Sequence, residues 1–228
     1  MERPRDVSAR MGQVFHPATN TLARATVFGG AAILAALVWF GALYAQSSFL
    51  TQAKAPIDQP VPFSHEHHVA GLGIDCRYCH TSVEQSSFAG MPPTETCMTC
   101  HSQVWNDAPM LAPVRDSLQT NTPIEWNRIY DLPHFVYFDH GIHVNKGVGC
   151  ESCHGRVDQM PLTWKAQPLT MSWCLTCHRE PERFLRPRDQ VFTMGYQPQG
   201  DQFAIGRRLK QEYHVDQDRL TNCSTCHR

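Results

Sequence analysis

Every cysteine of the chain lies in one of five copies of the motif Cys-x-x-Cys-His. A two-residue spacer lets one helical turn present both thiols to the same partner, and the adjacent histidine points toward that partner's centre. This pattern is typical of c-type haem attachment, in which the thiols bind the porphyrin and the histidine binds the iron. The predicted attachment residues are Cys76, Cys79, Cys97, Cys100, Cys150, Cys153, Cys174, Cys177, Cys223 and Cys226, with His80, His101, His154, His178 and His227 as proximal ligands. The motifs therefore predict five covalent haems around which the chain must fold.

Zinc sites, redox dithiols and iron–sulfur clusters also use Cys-x-x-Cys pairs. Histidine occupies 13 of 228 positions. Five successive pairs each followed by histidine would therefore arise by chance on the order of once in a million. Zinc proteins use such pairs two at a time, and a disulfide framework does not need the histidines. The haem interpretation is the one that accounts for all five motifs.

The chain after residue 45 carries one predicted haem for about every 36 residues, which leaves little protein for a conventional core. The porphyrins must then supply much of the buried apolar surface. We expect a mainly α fold with much irregular structure, in which short helices surround the motifs and covalent haems stabilise the chain as disulfides stabilise small scaffolds. The formal net charge of −1 gives no support for binding to nucleic acid.

Residues 25–45 contain no charged side chain, amide or histidine. As a helix they would span about 31 Å, enough to cross the hydrocarbon core of a membrane. Trp39 and Tyr44 lie toward one end of the run, where amphipathic rings favour the interface. A cleaved signal peptide and a buried core helix are the alternatives. The length of the apolar run and of the segment before it favours an uncleaved, single-pass anchor.

The charges on either side of this segment predict its orientation. Arg3, Arg5, Arg10 and Arg24 precede it, and only Lys54 follows closely. Positive charge stays on the cytoplasmic side, which puts the amino terminus in the cytoplasm and the haem domain in the periplasm of a bacterial inner membrane. Haem attachment of this type belongs to the same side of that membrane.

The sequence Phe-x-His-x-x-His-Val occurs at residues 63–69 and again at 138–144, each time before two haem motifs. Corresponding positions are 75 residues apart for the histidines and 74 and 77 for the motifs. This spacing indicates a duplicated two-haem unit with the fifth motif added after it. The predicted organisation is a cytoplasmic segment 1–24, a transmembrane helix 25–45, a linker 46–61, a first two-haem unit 62–101, a connector 102–133, a second two-haem unit 134–178 and a carboxy-terminal segment 179–228 with the fifth haem.

The duplicated histidines are candidates for the second axial position of each iron. His65 and His68, like His140 and His143, have the i, i+3 spacing of one helical face, so each pair can reach two neighbouring irons. We predict all four as distal ligands. His214 precedes the fifth motif by nine residues and is a further distal candidate.

Methionine is the other common distal ligand, and it raises the reduction potential. Met91, Met160 and Met171 flank the second and fourth motifs and are distal candidates, with packing against porphyrin as the alternative. We expect mostly bis-histidine haems, with one or two His/Met at most. His67 and His134 are interpreted as neighbours of the ligands or of the propionates.

The histidine pair and the motif that follows it resemble the small multihaem cytochromes of the c7 and c3 kind. In that family the first histidine of the pair ligates the nearby haem and the second ligates another. The resemblance implies that His65 pairs with His80 and His140 with His154. Over nearly its full length the chain also resembles the membrane-anchored pentahaem cytochrome subunits of alternative complex III, in segments such as Met-Pro-Pro-Thr-Glu-Thr-Cys at 91–97 and Asp-Leu-Pro-His-Phe-Val-Tyr-Phe at 131–138.

The resemblance to alternative complex III implies a non-catalytic electron-transfer subunit. Such a complex oxidises menaquinol in another subunit and passes electrons to a periplasmic cytochrome c or an oxygen reductase. One alternative is a stand-alone membrane-anchored quinol dehydrogenase that feeds a periplasmic reductase. Those proteins often carry a methionine just after the first motif, where this chain has Thr81. Another alternative is a multihaem enzyme with an open haem site, but the chain has no Cys-x-x-Cys-Lys motif.

Overall fold

The computed structural model describes residues 15–227. Arg3, Arg5 and Arg10 of the orientation argument therefore lie outside the described residues. The chain divides into two compact units, one up to Leu50 and the other from Thr51 onward. Between residues 15 and 227 the secondary structure is helical and only isolated β-bridges occur, with no strand. This confirms the predicted fold class, which is mainly α with much irregular chain.

The first unit is dominated by one long helix. Helix α1 spans Ala18–Ala45 and therefore begins earlier than the predicted transmembrane segment. None of its residues is buried within the protein, and its apolar side chains are exposed along its whole length. A short helix, α2, follows at Ser48–Thr51. By length and composition the helical region Ala18–Thr51 is long and apolar enough to cross a membrane.

The second unit consists of short helices joined by irregular chain. Its α-helices are α3 (Cys76–Cys79), α4 (Thr94–His101), α5 (Ala112–Thr120), α6 (His140–Asn145), α7 (Cys150–His154), α8 (Met171–Arg179), α9 (Gln202–Glu212), α10 (Gln217–Leu220) and α11 (Cys223–Cys226). A π-helical turn spans Glu66–Gly71, and 3₁₀ turns span Pro109–Leu111, Val157–Gln159, Pro181–Arg183 and Arg188–Gln190.

Side-chain caps start several of these helices. Asp75 precedes α3 and accepts the backbone N–H of Arg77, and Asp139 precedes α6 and accepts that of Ile142. Thr170 caps α8 and Asp201 caps α9 in the same way. Such caps satisfy the amide groups that a helix leaves unpaired at its amino terminus. They let helices of one or two turns form where propensity alone would not sustain them.

The apolar core of the second unit is divided into three small clusters. Each contains three buried residues, namely Val61, Leu111 and Val114, then Val83, Val144 and Val191, and finally Leu185, Leu209 and Tyr213. Many large apolar side chains beside the haem motifs remain exposed, including Tyr78 before His80 and Met171 before Cys174. A folded domain of this length normally buries a larger continuous core. The protein part therefore leaves apolar surface that a bound group can cover.

Helix α9 is the element that packs most closely on its neighbour, the 3₁₀ turn Pro181–Arg183. Gly206 faces this turn, where an added Cβ would lie 1.9 Å from the carbonyl oxygen of Glu182. Gln202 donates hydrogen bonds to the carbonyl oxygens of Glu182 and Leu185, at 3.0 and 2.8 Å. Lys210 pairs with the Glu182 carboxylate. Close backbone approach at Gly206 thus fixes α9 just after the fourth motif.

Candidate haem-binding site

Each of the five motifs places its two cysteines in a single helical turn. Helices α3 and α11 consist of little more than that turn, whereas α4 and α8 extend it by about one turn. All ten thiols are free, and none is joined in a disulfide. Within residues 15–227 no three His, Cys, Asp or Glu side chains converge in a way that could hold a metal ion. The local structure is the one that attachment of both thiols to a flat partner requires.

Several of the thiols lie in surroundings that oppose ionisation. Burial raises the pKa of the Cys150 thiol to about 11 and that of the Cys153 thiol to about 12. Burial also raises the pKa of Cys76 and Cys97. A thiolate that binds zinc needs the opposite environment, since nearby positive charge lowers the pKa of a ligating thiol. These sites suit thioether bonds, which carry no charge.

Four of the five motif histidines are oriented by a hydrogen bond from Nδ1 to a backbone carbonyl. The acceptors are Gly90 for His80 at 2.8 Å, Val104 for His101 at 3.0 Å, Leu220 for His178 at 2.9 Å and Phe135 for His227 at 3.2 Å. With the proton held on Nδ1, the lone pair on Nε2 is available to a metal. This is the usual arrangement of a histidine that ligates iron or zinc.

His154 is the exception among the motif histidines. In the part of the chain that the structure describes, neither of its ring nitrogens has a hydrogen-bond partner. Instead the ring of Tyr130 lies against it, with 4.4 Å between centroids and 58° between planes. Burial lowers the pKa of His154 to about 4, with a further contribution from His140, so the ring is neutral as a metal ligand must be.

The four duplicated histidines show the same Nδ1 arrangement. His68 and His143 each bond to the carbonyl four residues earlier, on Ser64 at 2.8 Å and Asp139 at 2.6 Å. His140 bonds to the carbonyl of Ser87 at 2.8 Å, whereas His65 bonds to the hydroxyl oxygen of Thr163 at 2.9 Å. By contrast, within residues 15–227 the rings of His67, His134 and His214 make no hydrogen bond. The arrangement therefore distinguishes the four duplicated histidines from His67, His134 and His214.

Three of the four duplicated histidines face a motif histidine across a gap of nearly constant width. The ring centroids are 6.1 Å apart for His68 and His101, 6.3 Å for His140 and His154, and 6.2 Å for His143 and His178. Two imidazoles that bind one metal through bonds of about 2 Å each have centroids roughly 6 Å apart. The gap therefore fits one iron between each pair of rings.

The fourth duplicated histidine, His65, interacts with the charge of His80. Burial lowers the pKa of His65 to about 4, and the next contribution comes from His80. The first histidine of each pair is therefore near the first motif of its own unit, His80 or His154. The second histidine of each pair faces the second motif of that unit, His101 or His178.

One phenylalanine contacts both histidines in each repeat. Phe63 stacks on His68, with 4.4 Å between centroids and 24° between planes, and meets His65 edge-on at 4.9 Å. Phe138 repeats both contacts, on His143 at 4.5 Å and on His140 at 4.7 Å. The phenylalanine of the repeated motif thus orients the rings of both histidines.

The fifth motif is built differently. His227 lies beside the segment before the second histidine pair, where the backbone N–H of Tyr137 donates to the carbonyl of Cys226 at 2.7 Å. His214 is exposed and has a positive φ of 50°, and it makes no ring contact with a motif histidine within residues 15–227. Among the described residues the ring of His227 contacts Phe135 and no histidine ring.

The three candidate methionines occupy different environments. Met160 is buried, with 2% of its surface exposed, and its carbonyl accepts the N–H of Glu66 at 3.1 Å. Met91 and Met171 are 50% and 63% exposed. Trp105, which belongs to no recognisable motif, stacks on His67 at 5.5 Å and lies 6.3 Å from the ring of His101.

The chain has relatives among known proteins. The sequence matches the family described as cytochrome c7 and related cytochrome c over residues 61–114 and 136–228, which is more than half of the chain. It is 32% identical over 138 residues to the "Menaquinone reductase, multiheme cytochrome c subunit" of Nitratidesulfovibrio vulgaris (strain Hildenborough). That alignment covers 60% of this chain and 65% of the relative.

Proposed function

The chain belongs to the family of cytochrome c7 and related cytochromes c, and on that premise we propose that it carries electrons through five c-type haems as a subunit of a membrane complex that acts on the quinone pool. Multihaem electron transfer follows from the family. The number of haems is supported by the five helical turns that present paired free thiols. The 6.1–6.3 Å gaps between facing histidine rings are the observation that carries the proposal.

We assign the ligands of three haems from this geometry, and those of one more from the repeat and from the charge interaction between His65 and His80. His65 and His80 hold the first iron, His68 and His101 the second, His140 and His154 the third, and His143 and His178 the fourth. In the fifth site we assign only His227. When bound, each haem supplies a one-electron couple at its iron.

The side chains of the protein perform three tasks at these sites. The thiols fix each porphyrin covalently, so that the haem cannot dissociate. The histidine rings bind iron through Nε2, and the acceptors on Nδ1 hold the rings in one orientation and raise their basicity. Phe63 and Phe138 pack against the distal rings and keep each of them in a single rotation.

The surroundings of the domain are also part of the proposal. Helix α1 is apolar, exposed and of sufficient length to cross a membrane. We propose that it anchors the chain in a bacterial inner membrane with the haem domain in the periplasm. We propose a complex like alternative complex III, in which a separate subunit oxidises menaquinol and the acceptor is a periplasmic cytochrome c or an oxygen reductase. The sequence segments at 91–97 and 131–138 support this choice.

The test is purification of the protein from its native membrane in mild detergent. We expect five haems per chain by the pyridine haemochrome assay, low-spin spectra and a set of co-purifying subunits. The complex should reduce a periplasmic cytochrome c when it is given menaquinol. A chain that purifies alone and oxidises menaquinol unaided would instead support a stand-alone quinol dehydrogenase. A predominantly high-spin spectrum would contradict the bis-histidine assignment.

A second candidate function is the reverse electron flow. The relative from Nitratidesulfovibrio vulgaris is named as a subunit of a menaquinone reductase, and that name favours delivery of electrons to the quinone pool. The two directions are separated by the same preparation. Menaquinone reduction driven by a reduced periplasmic cytochrome, without menaquinol oxidation, would support the second candidate.

A further inference from the structure

The predicted axial histidines differ in the hydrogen-bond acceptor of their Nδ1 atoms, and the acceptors differ from one haem site to the next. At the second site both rings, His68 and His101, donate to backbone carbonyls. At the fourth site both rings, His143 and His178, do so as well. The first and third sites each depart from this rule in one ring.

At the first site the departure is the acceptor of His65. Its Nδ1 meets the hydroxyl of Thr163 at 2.9 Å, and a hydroxyl is a weaker acceptor than a peptide carbonyl. The hydroxyl also carries its own proton, which it can donate elsewhere. The other ring of this site, His80, has the usual carbonyl acceptor.

At the third site the departure is larger. His140 has a carbonyl acceptor, but no hydrogen-bond acceptor meets His154 anywhere in residues 15–227. The aromatic ring of Tyr130 lies beside His154, and Tyr130 is itself held in place. Its hydroxyl accepts the N–H of Ala166 at 3.1 Å and donates to the carbonyl of Trp164 at 3.3 Å. The phenol oxygen is thereby engaged with the backbone.

An acceptor on Nδ1 makes the imidazole a stronger electron donor to the iron. A stronger donor stabilises the ferric state more than the ferrous state, and so lowers the reduction potential. A haem whose histidine ligand lacks such an acceptor therefore has a higher reduction potential. The effect acts in addition to any difference in burial or in nearby charge.

We propose that the Nδ1 acceptors rank the potentials of the four haems in the two repeats, with the third haem highest, the first next, and the second and fourth lowest. Tyr130 and Thr163 are then positioning residues that tune the potentials through His154 and His65. This inference rests on the ligand pairs assigned under the proposed function. It further implies that the first haem accepts electrons from the second, and the third haem from the fourth.

Thr163 offers the sharper of two tests, because valine has almost the same shape and no acceptor. In the purified holoprotein, Thr163→Val should raise the reduction potential of one haem. The expected limit is about a tenfold change in the equilibrium constant for its reduction, which is about 59 mV for a one-electron couple. The matched control, Thr163→Ser, keeps the hydroxyl and should leave that potential in place. The inference is overturned if no potential moves in Thr163→Val, or if both variants shift equally.

The second test uses the unaltered protein and therefore does not depend on a variant that folds. Stepwise reduction followed by NMR assigns each haem from its contacts, with the ring protons of Tyr130 marking the third haem. We expect that haem to be reduced before the first, second and fourth. Its reduction after any of those three overturns the ranking.

Two further measurements on the same samples keep failure of this inference distinct from failure of the proposed function. The pyridine haemochrome assay counts the haems, and low-spin paramagnetic resonance signals report bis-histidine ligation. If either measurement disagrees with the assigned ligands, the proposed function fails and the ranking falls with it. If both agree and the order of potentials differs, the ranking alone is wrong.

Discussion

Replacement of Gly206 by alanine tests whether the close approach of α9 is what fixes the chain after the fourth motif. An ideal Cβ at this position would lie 1.9 Å from the Glu182 carbonyl oxygen and 2.6 Å from the carbonyl carbon and Cα of the same residue. All three atoms belong to the backbone, so no side-chain rotation can relieve the overlap. Ordinary contact begins near 3.4 Å, and α9 would have to retreat by about 1.5 Å.

The cost can be worked from the contacts that such a retreat breaks. Overpacking of this kind costs about 1–3 kcal/mol. The two hydrogen bonds from Gln202 and the pairing of Lys210 with Glu182 would be strained, and each neutral hydrogen bond contributes about 1 kcal/mol net. Alanine regains about 1 kcal/mol over glycine in helix propensity. We expect a net loss of about 2–4 kcal/mol.

The assay is thermal unfolding of the holoprotein, followed by far-ultraviolet circular dichroism and by Soret absorbance. For a chain of this length the loss corresponds to a decrease in Tm of roughly 5–15 °C. Gly71→Ala is the matched control, because its Cβ would meet only the Glu66 carbonyl oxygen at 3.7 Å, an ordinary contact. A Gly206→Ala protein as stable as the Gly71→Ala protein would refute the reasoning.

Three further outcomes test the ligands, the aromatic contacts and one buried carboxylate. His143→Ala should convert one haem to a high-spin form in the optical spectrum, whereas His134→Ala, at an exposed ring without a hydrogen bond, should leave the spin state of every haem unchanged. Phe138→Leu should change the paramagnetic resonance signals of two haems while keeping the haem content, because it removes the contacts at 4.5 and 4.7 Å that orient two distal rings. If instead those signals are unchanged, the contact does not orient the rings. Hydrogen bonds from Arg156 hold the pKa of Asp158 below its ordinary value of 3.8, so the stability this pair contributes is fully present above that value and is lost as the pH falls through the lowered pKa. Asp158→Asn should accordingly be less stable than the wild type at neutral pH and should show a smaller loss in acid denaturation.

The two repeats are alike in their predicted ligands and different in their surroundings. Phe63 and Phe138 make the same pair of ring contacts, and His68 and His143 use the same acceptor four residues earlier. The rings of His68 and His101 are nevertheless inclined by 62°, whereas those of His143 and His178 are inclined by 26°. Trp105 and His67 stack beside the first of these pairs, and the second repeat has Ile142 where His67 stands in the first. The two repeats therefore place equivalent histidines in distinct environments.

The sequence by itself determined the features that depend on a few neighbouring residues. Both sulfurs of a motif lie in one helical turn because two intervening residues are the correct spacing for it, and the apolar run around residues 25–45 forms a helix for equally local reasons. The repeated Phe-x-His-x-x-His pattern was enough to nominate His65, His68, His140 and His143, each of which has an oriented ring in the structure.

Tertiary structure alone decided which groups meet across long stretches of chain. Thr163 lies 98 residues from His65, and the carbonyl of Phe135 lies 92 residues from His227. No periodicity reports such contacts, because the irregular segments between the motifs fold back along paths that packing sets. The same reason accounts for His214, which is near the fifth motif in sequence and yet is exposed without a contact to a motif histidine among residues 15–227. The sequence thus determined the motifs and candidate ligands, and tertiary structure set which rings face one another and what lies beside them.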